Sequence, residues 1–209
     1  PLVFDPGSDY LYSESPTVVG RLIEIWSGEP LDVFLARRIF EPLGMVDTGF
    51  WVEPADHDRL TEVYRPDSHA RLQPYSIEEV PFTQRAAILE GARGLVSSVW
   101  DYLRFAQTIA NGGALGNVRL LRPETMAMAV ANGLSPEMRA ARNGRGWGLG
   151  NVAVYEAQGE YGWDGSAGTI FWIHPESDTV AVLMTQTSPA FPDGLRQRFK
   201  SAIEESILD

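Results

Sequence analysis

Apolar positions recur with helical spacing near the start of the chain. Val19, Leu22, Ile23 and Trp26 fall at i, i+3, i+4 and i+7, one face of a helix. Ser15-Pro16 reads as its N-cap and first helical residue, and Gly28 stops it. A second helix is predicted over 31–40, with Leu31, Phe34, Leu35 and Ile39 apolar, ending at Pro42-Leu43-Gly44-Met45. Ser98 followed by Asp101 fits a capping box, and the helix it opens carries Tyr102, Phe105 and Ile109 as far as Asn111-Gly112-Gly113. A short helix starts near Pro123-Glu124 and includes Met126 and Val130. Leu195, Phe199, Ile203 and Ile207 mark an amphipathic helix at the end.

The period changes near Trp147. Segments 148–155, 169–173 and 179–184 are rich in Val, Ile, Phe and Trp and are separated by turn residues, so they read as strands. The connections are too short for crossover helices, which makes the predicted sheet antiparallel. Residues 51–80 are polar and proline-bearing, a surface excursion with short strands that includes the solvated pair Glu78-Glu79. The expected organisation is α+β. A mostly helical and irregular part covers residues 1–146, and the strands and closing helix of a sheet domain cover 147–209.

Composition narrows the chemistry. The 209 residues carry 17 Lys+Arg against 28 Asp+Glu, for a net charge of -11, and no cysteine. Thiolate metal sites, disulfides and cysteine nucleophiles are therefore excluded. Lys200 is the only lysine, so no phosphate-binding Gly-rich loop ending in lysine exists. The acidic balance, without a basic run, argues against nucleic acid as a partner. No apolar run approaches the ~20 residues of a membrane span. A compact 23.1 kDa fold would expose about 9,700 Å².

His57 and His69 lie in the polar excursion without partners at metal spacing, and read as surface residues; His174 precedes Pro175 at a strand end, where it suits a turn. No metal or other cofactor is implied. Ser166 misses the Gly-x-Ser-x-Gly pattern of a nucleophile elbow because Asp164 stands at the first glycine position. Two local clusters remain. Tyr12-Ser13-Glu14 stands immediately before the first helix. The run from Tyr161 to Thr169 is dense in glycine and feeds a strand. Such glycines allow close backbone approach to a ligand and leave amides free for an oxyanion, or they simply form a tight hairpin.

Several stretches recur in a familiar order. They include Phe4-Asp5-Pro6-Gly7, Tyr12-Ser13, Val19-Gly20-Arg21-Leu22-Ile23-Glu24, Pro42-Leu43-Gly44-Met45 with Asp47-Thr48, Gly94-Leu95-Val96-Ser97-Ser98, Leu120-Leu121-Arg122-Pro123-Glu124 and Gly165 through Thr169. Together they resemble the serine β-lactamase-like family, which includes class C β-lactamases, DD-peptidases and carboxylesterases. The resemblance implies the β-lactamase/transpeptidase-like fold, an antiparallel sheet flanked by helices plus a helical subdomain. It also implies acyl transfer from three motifs. Tyr12 matches the tyrosine that acts as general base or proton relay, with Glu14 where many members have Asn. Trp163-Asp164-Gly165 matches the Lys/His-x-Gly motif that lines the substrate. The Ser166 amide then matches the second oxyanion donor.

The motif Ser-x-x-Lys is absent, because Gln197 stands three residues before Lys200. In the family that motif precedes the tyrosine. The expectation is that nucleophile and lysine come from a segment upstream of Pro1, or from a complementary chain that completes the sheet, and that this chain alone is inactive. Trp163 cannot pair with a carboxylate and Asp164 would repel one, so neutral esters are expected over β-lactams. A β-lactamase or DD-peptidase activity, and a catalytically silent binding or structural role, are the competing readings.

Overall fold

The computed structural model describes residues 2–77, 81–189 and 194–208. Glu78 and Glu79 lie outside the described residues. Helix α1 (Ser15–Ser27) ends at Gly28, whose N–H reaches the Glu24 carbonyl. Its start differs from the predicted one by one residue: Glu14 occupies the cap, and Ser15 is the first helical residue. Only part of the apolar face read from the sequence is covered: Ile23 packs against the Leu31, Phe50 and Leu89 cluster and Leu22 is half-buried. Val19 is 53% and Trp26 78% exposed, while Gly20 is buried. Close packing selects that side. A Cβ on Gly91 would lie 2.2 Å from the Pro16 carbonyl oxygen, so only glycine lets this segment cross the helix.

Helix α2 (Leu31–Leu35) widens into a π-helical turn over Ala36–Phe40 and continues as α3 (Glu41–Leu43), three residues beyond the predicted end. The widening sits just ahead of Pro42, which brings no N–H to the helical ladder. The Glu24 carboxylate accepts the first α2 amide, from Leu31, at 3.0 Å. The excursion forms a 3-10 turn at Pro54–Arg59 and a hairpin of β1 (Tyr64–Pro66) and β2 (Leu72–Pro74).

Helix α4 (Val99–Ala110) is capped by the Ser98 hydroxyl, which accepts from the Asp101 N–H. The box is only half made. The Asp101 carboxylate, 4% exposed, accepts instead from the Asp47 N–H at 2.7 Å and the Thr48 hydroxyl at 2.9 Å. It thereby pins the loop after α3 onto α4. A small hairpin of β3 (Ala114–Leu115) and β4 (Val118–Arg119) leads to α5 (Pro123–Val130) and α6 (Pro136–Ala140).

The sheet is an antiparallel meander in sequence order, β5 (Gly146–Trp147), β6 (Ala153–Tyr155), β7 (Glu160–Asp164), β8 (Thr169–His174) and β9 (Thr179–Met184). Strands β5 and β7 were not predicted, and segment 148–155 joins the sheet only over its last three residues, with Gly148 bridging to Asn132 instead. Phe171 and Ile173 of β8 enter the main core with Ala106 and Ile109 of α4 and Met126 of α5. Ile170 and Trp172 point the other way, against Phe199 and Ile203 of α7 (Leu195–Leu208). Helices thus flank both faces. Lys200 of α7 pairs at 2.6 Å with Glu160 of β7, which is 7% exposed.

The chain exposes 13205 Å², against about 9,700 Å² for a compact fold of this mass. Its exposed apolar side chains include Val18, Val19, Ile25 and Trp26 on α1 and Leu11 and Tyr12 before it. No helix among the described residues is long and apolar enough to cross a membrane.

Candidate active site

The site forms where the segment before α1 crosses the ends of β5 and β7. Strand pairing sets the first side chain. Trp163 lies opposite Phe171, so both project toward α4. The Tyr12 ring meets Trp163 with centroids 5.2 Å apart and Trp147 at 5.7 Å. Trp147 and Trp163 meet edge to face at 4.6 Å. Tyr10, two residues before Tyr12, packs on Trp147 at 5.3 Å. Two tyrosines and two tryptophans therefore form one aromatic wall, with centroid separations typical of favourable ring pairs.

Arg142 holds the tyrosine segment in place. Its guanidinium donates to the Tyr10 carbonyl and, at 3.1 Å, to the Asp9 carboxylate, while donating to the Met138 carbonyl at 2.8 Å. It also lies 5.0 Å from the Tyr10 ring centroid. Burial, then the proximity of Tyr12, pushes the Tyr10 phenol up to about 12, against the opposing pull of Arg145 and Arg142. Tyr10 is a neutral packing group at neutral pH. Tyr12, by contrast, is 55% exposed.

The other predicted site residues separate into two groups. Gly165 and Ser166 form the turn from β7 into β8. The Gly165 N–H donates to the Thr169 carbonyl and the Gly168 N–H to the Gly165 carbonyl. Gly168 has φ +81°, and a Cβ there would lie 2.0 Å from the Thr185 hydroxyl, so the turn needs glycine. Ser166 is exposed, and its N–H makes no hydrogen bond among the described residues. Asp164 pairs with Ile170 and so lies on the α7 side of the pleat, away from Trp163. Glu14 accepts from the Thr17 hydroxyl at 3.1 Å and lies 3.5 Å from Arg93.

Sequence reading missed four members of the site. Tyr10 was findable, because in an extended segment it shares a face with Tyr12. Trp147 stands in a glycine-rich run directly before the strands, a weaker signal. Nothing marked Arg142 or Arg145. The Arg145 guanidinium lies 5.8 Å from the Trp163 ring centroid, so a wall expected to lack positive charge has a cation beside it. The histidines play no part. His57 is half-buried, with Nε2 3.0 Å from the Val52 carbonyl oxygen, rather than on the surface; His174 Nδ1 accepts from the Ser177 N–H.

Residues 1–203 match the family model described as Beta-lactamase. The chain belongs to the beta-lactamase family. Esterase EstB of Burkholderia gladioli is 32% identical over 192 residues, covering 82% of this chain and 46% of that protein. A putative D-alanyl-D-alanine carboxypeptidase of Escherichia coli K12 is 26% identical over 229 residues, covering 100% of this chain and 52% of that protein. A LovD6 mutant of simvastatin synthase from Aspergillus terreus superposes with a TM-score of 0.88 at 21% identity, covering 100% of this chain and 57% of that one. The chain has the β-lactamase/transpeptidase fold and spans about half the length of the curated relatives it matches. Hydrolases are named among these relatives of the beta-lactamase family chain.

Proposed function

We propose that the protein containing this chain is a serine hydrolase that cleaves carboxylic esters through an acyl-enzyme. The carrying observation is the Tyr12–Trp163 contact at 5.2 Å, which brings the tyrosine motif and the substrate-lining motif together. The serine and its lysine come from a segment preceding Pro1. Lys200 is no substitute, since it is committed to Glu160 between β7 and α7. Uncovered apolar side chains on α1 and before it support such a segment packing there.

In this reading the serine hydroxyl adds to the ester carbonyl carbon. Tyr12, beside the lysine, takes the proton and returns it to the departing alkoxide, leaving an acyl-serine. Water then adds to the acyl carbon, gives its proton back along the same route, and releases the acid. A phenol near pKa 10 is a weak base at neutral pH unless a cation lowers it, which is the part assigned to the lysine. The Ser166 N–H, unengaged among the described residues, is the donor this reading gives to the developing oxyanion. Gly165 gives the close approach, and Trp163 the apolar wall against the acyl or alcohol group.

Esters are favoured over β-lactams because Trp163 replaces the motif Lys or His and Glu14 brings no amide donor. The test is kcat/KM of the intact protein on short p-nitrophenyl esters and on cephalosporins. Ester turnover with poor lactam turnover is expected. Efficient lactam hydrolysis with weak ester hydrolysis reverses the assignment.

A further inference from the structure

The cleft has a cation at its rim that no carboxylate answers. Arg145 follows α6 and directly precedes β5, and its guanidinium lies 5.8 Å from the Trp163 ring centroid. Its charge also reaches the Tyr10 phenol. The neighbouring arginines are occupied: Arg142 by Asp9 and the Tyr10 carbonyl, Arg139 by Glu156. Among the described residues Arg145 has no ion-pair partner. In a chain of net charge -11, an unanswered arginine beside a substrate wall is a local exception.

A cavity of about 390 Å³ opens next to it, lined by Ala141, Arg142, Asn143, Arg145 and Tyr155. Two arginines line that cavity, and one of them, Arg145, also lies against the Trp163 ring. Asp164, the carboxylate nearest to Trp163 in sequence, lies on the opposite side of the sheet. The repulsion that the sequence suggested is removed by the pleat. An arginine held over an aromatic face keeps its planar fork of donors available for a carboxylate.

We propose that Arg145 is a specificity-determining residue that receives a carboxylate borne by the ester substrate, seated in the cavity beside the Trp163 wall. This rests on the esterase reading and refines it: the preferred substrates are half-esters of dicarboxylic acids rather than neutral esters. The anion sits at the end of the acyl chain, with the apolar methylenes against Trp163 and the scissile carbonyl toward Tyr12 and Ser166.

The test compares p-nitrophenyl glutarate, a half-ester, with p-nitrophenyl butyrate on the intact protein. Wild type should favour the glutarate half-ester in kcat/KM, and the preference should weaken as ionic strength rises. Arg145→Ala should lower the glutarate-to-butyrate ratio about tenfold, the scale of one bidentate charge-assisted pair. Arg145→Lys should restore part of it. Because the ratio is read within each variant, general damage to folding cancels. An unchanged ratio overturns the proposal. If wild type cleaves neither ester, the esterase reading fails, and binding decides the rest. Glutarate titrated against tryptophan fluorescence should saturate with wild type and weaken about tenfold in Arg145→Ala. Equal affinity, or no binding to wild type, overturns the carboxylate site.

Discussion

The ring of Tyr12 rests 5.2 Å from the ring of Trp163, tilted by 44°. One residue stands in the extended segment before α1 and the other near the end of β7, so the pair exists only in the folded chain. If Tyr12 carries protons, removing its hydroxyl while keeping its ring separates chemistry from packing. Tyr12→Phe in the intact protein should cut kcat on short esters by about 10²–10⁴-fold. KM should change little, because the aromatic wall survives. A kcat close to wild type would remove Tyr12 from the proton path.

Asp101 ties together two stretches on which the family likeness was read. Its buried carboxylate takes the Asp47 N–H and the Thr48 hydroxyl, and Thr48 also reaches the Ser97 hydroxyl at 2.8 Å. Asp101→Ala strands both donors and should cost about 2–4 kcal/mol in urea unfolding. Thr48→Ala removes a donor rather than the shared acceptor and should cost about 1 kcal/mol.

The sequence reached the fold further than it reached the site. The antiparallel order follows from short connections between apolar segments, and β8 and β9 were plain from their Val, Ile and Trp content. Strand β7 was not, because Glu160, Gly162 and Asp164 occupy alternate positions on one face. They are tolerated there for reasons outside the strand. Lys200 of α7 neutralises Glu160. Gly162 makes room for the β8 backbone, since a Cβ would lie 2.1 Å from the Phe171 carbonyl oxygen. The helical period of α1 was read correctly, but of its apolar face Ile23 packs inward while Val19 and Trp26 stay exposed, because close backbone approach at Gly20 and Gly91 sets how the helix sits. Tyr12 and Trp163 were visible as motif residues. Trp147 and Arg145 join them through pairing of distant segments, which local pattern does not register.

The Lys200–Glu160 pair gives a structural prediction with a clear sign. Lys200→Met leaves a buried carboxylate without its cation and should destabilise by about 3–5 kcal/mol. Adding Glu160→Leu should recover much of the loss, because the charge and its cost disappear together. Urea midpoints of the single and double variants check this. Ester turnover per folded molecule should be the same as wild type in Lys200→Met, since this lysine lies outside the cleft.

The Asp47 carboxyl is held below the usual carboxylate range, first by the hydrogen bond from Arg59. A depressed folded value means that ionised Asp47 favours the folded state. That contribution is present above its unfolded value near 4 and fades as pH falls through the lower folded value. Asp47→Asn should therefore show a shallower loss of stability between about pH 5 and pH 2 than wild type. Urea midpoints measured across that range give the slope. Parallel slopes in the two proteins would remove Asp47 as a source of the acid sensitivity.

The 209-residue chain by itself should not acylate. It holds the tyrosine, the turn amide and the aromatic wall, but Lys200 is its only lysine and lies in a structural pair. The proton-carrying role proposed for Tyr12 calls for a lysine beside it, and Lys200 is held by Glu160 instead. Mixed with p-nitrophenyl butyrate, the chain should release no stoichiometric burst of nitrophenol. Glutarate should still quench its tryptophans, because Arg145, Trp163 and the adjoining cavity all belong to it. Quenching without a burst would separate binding groups carried by these residues from reacting groups they lack. A clear burst would place a nucleophile within these residues and move the search to its exposed serines.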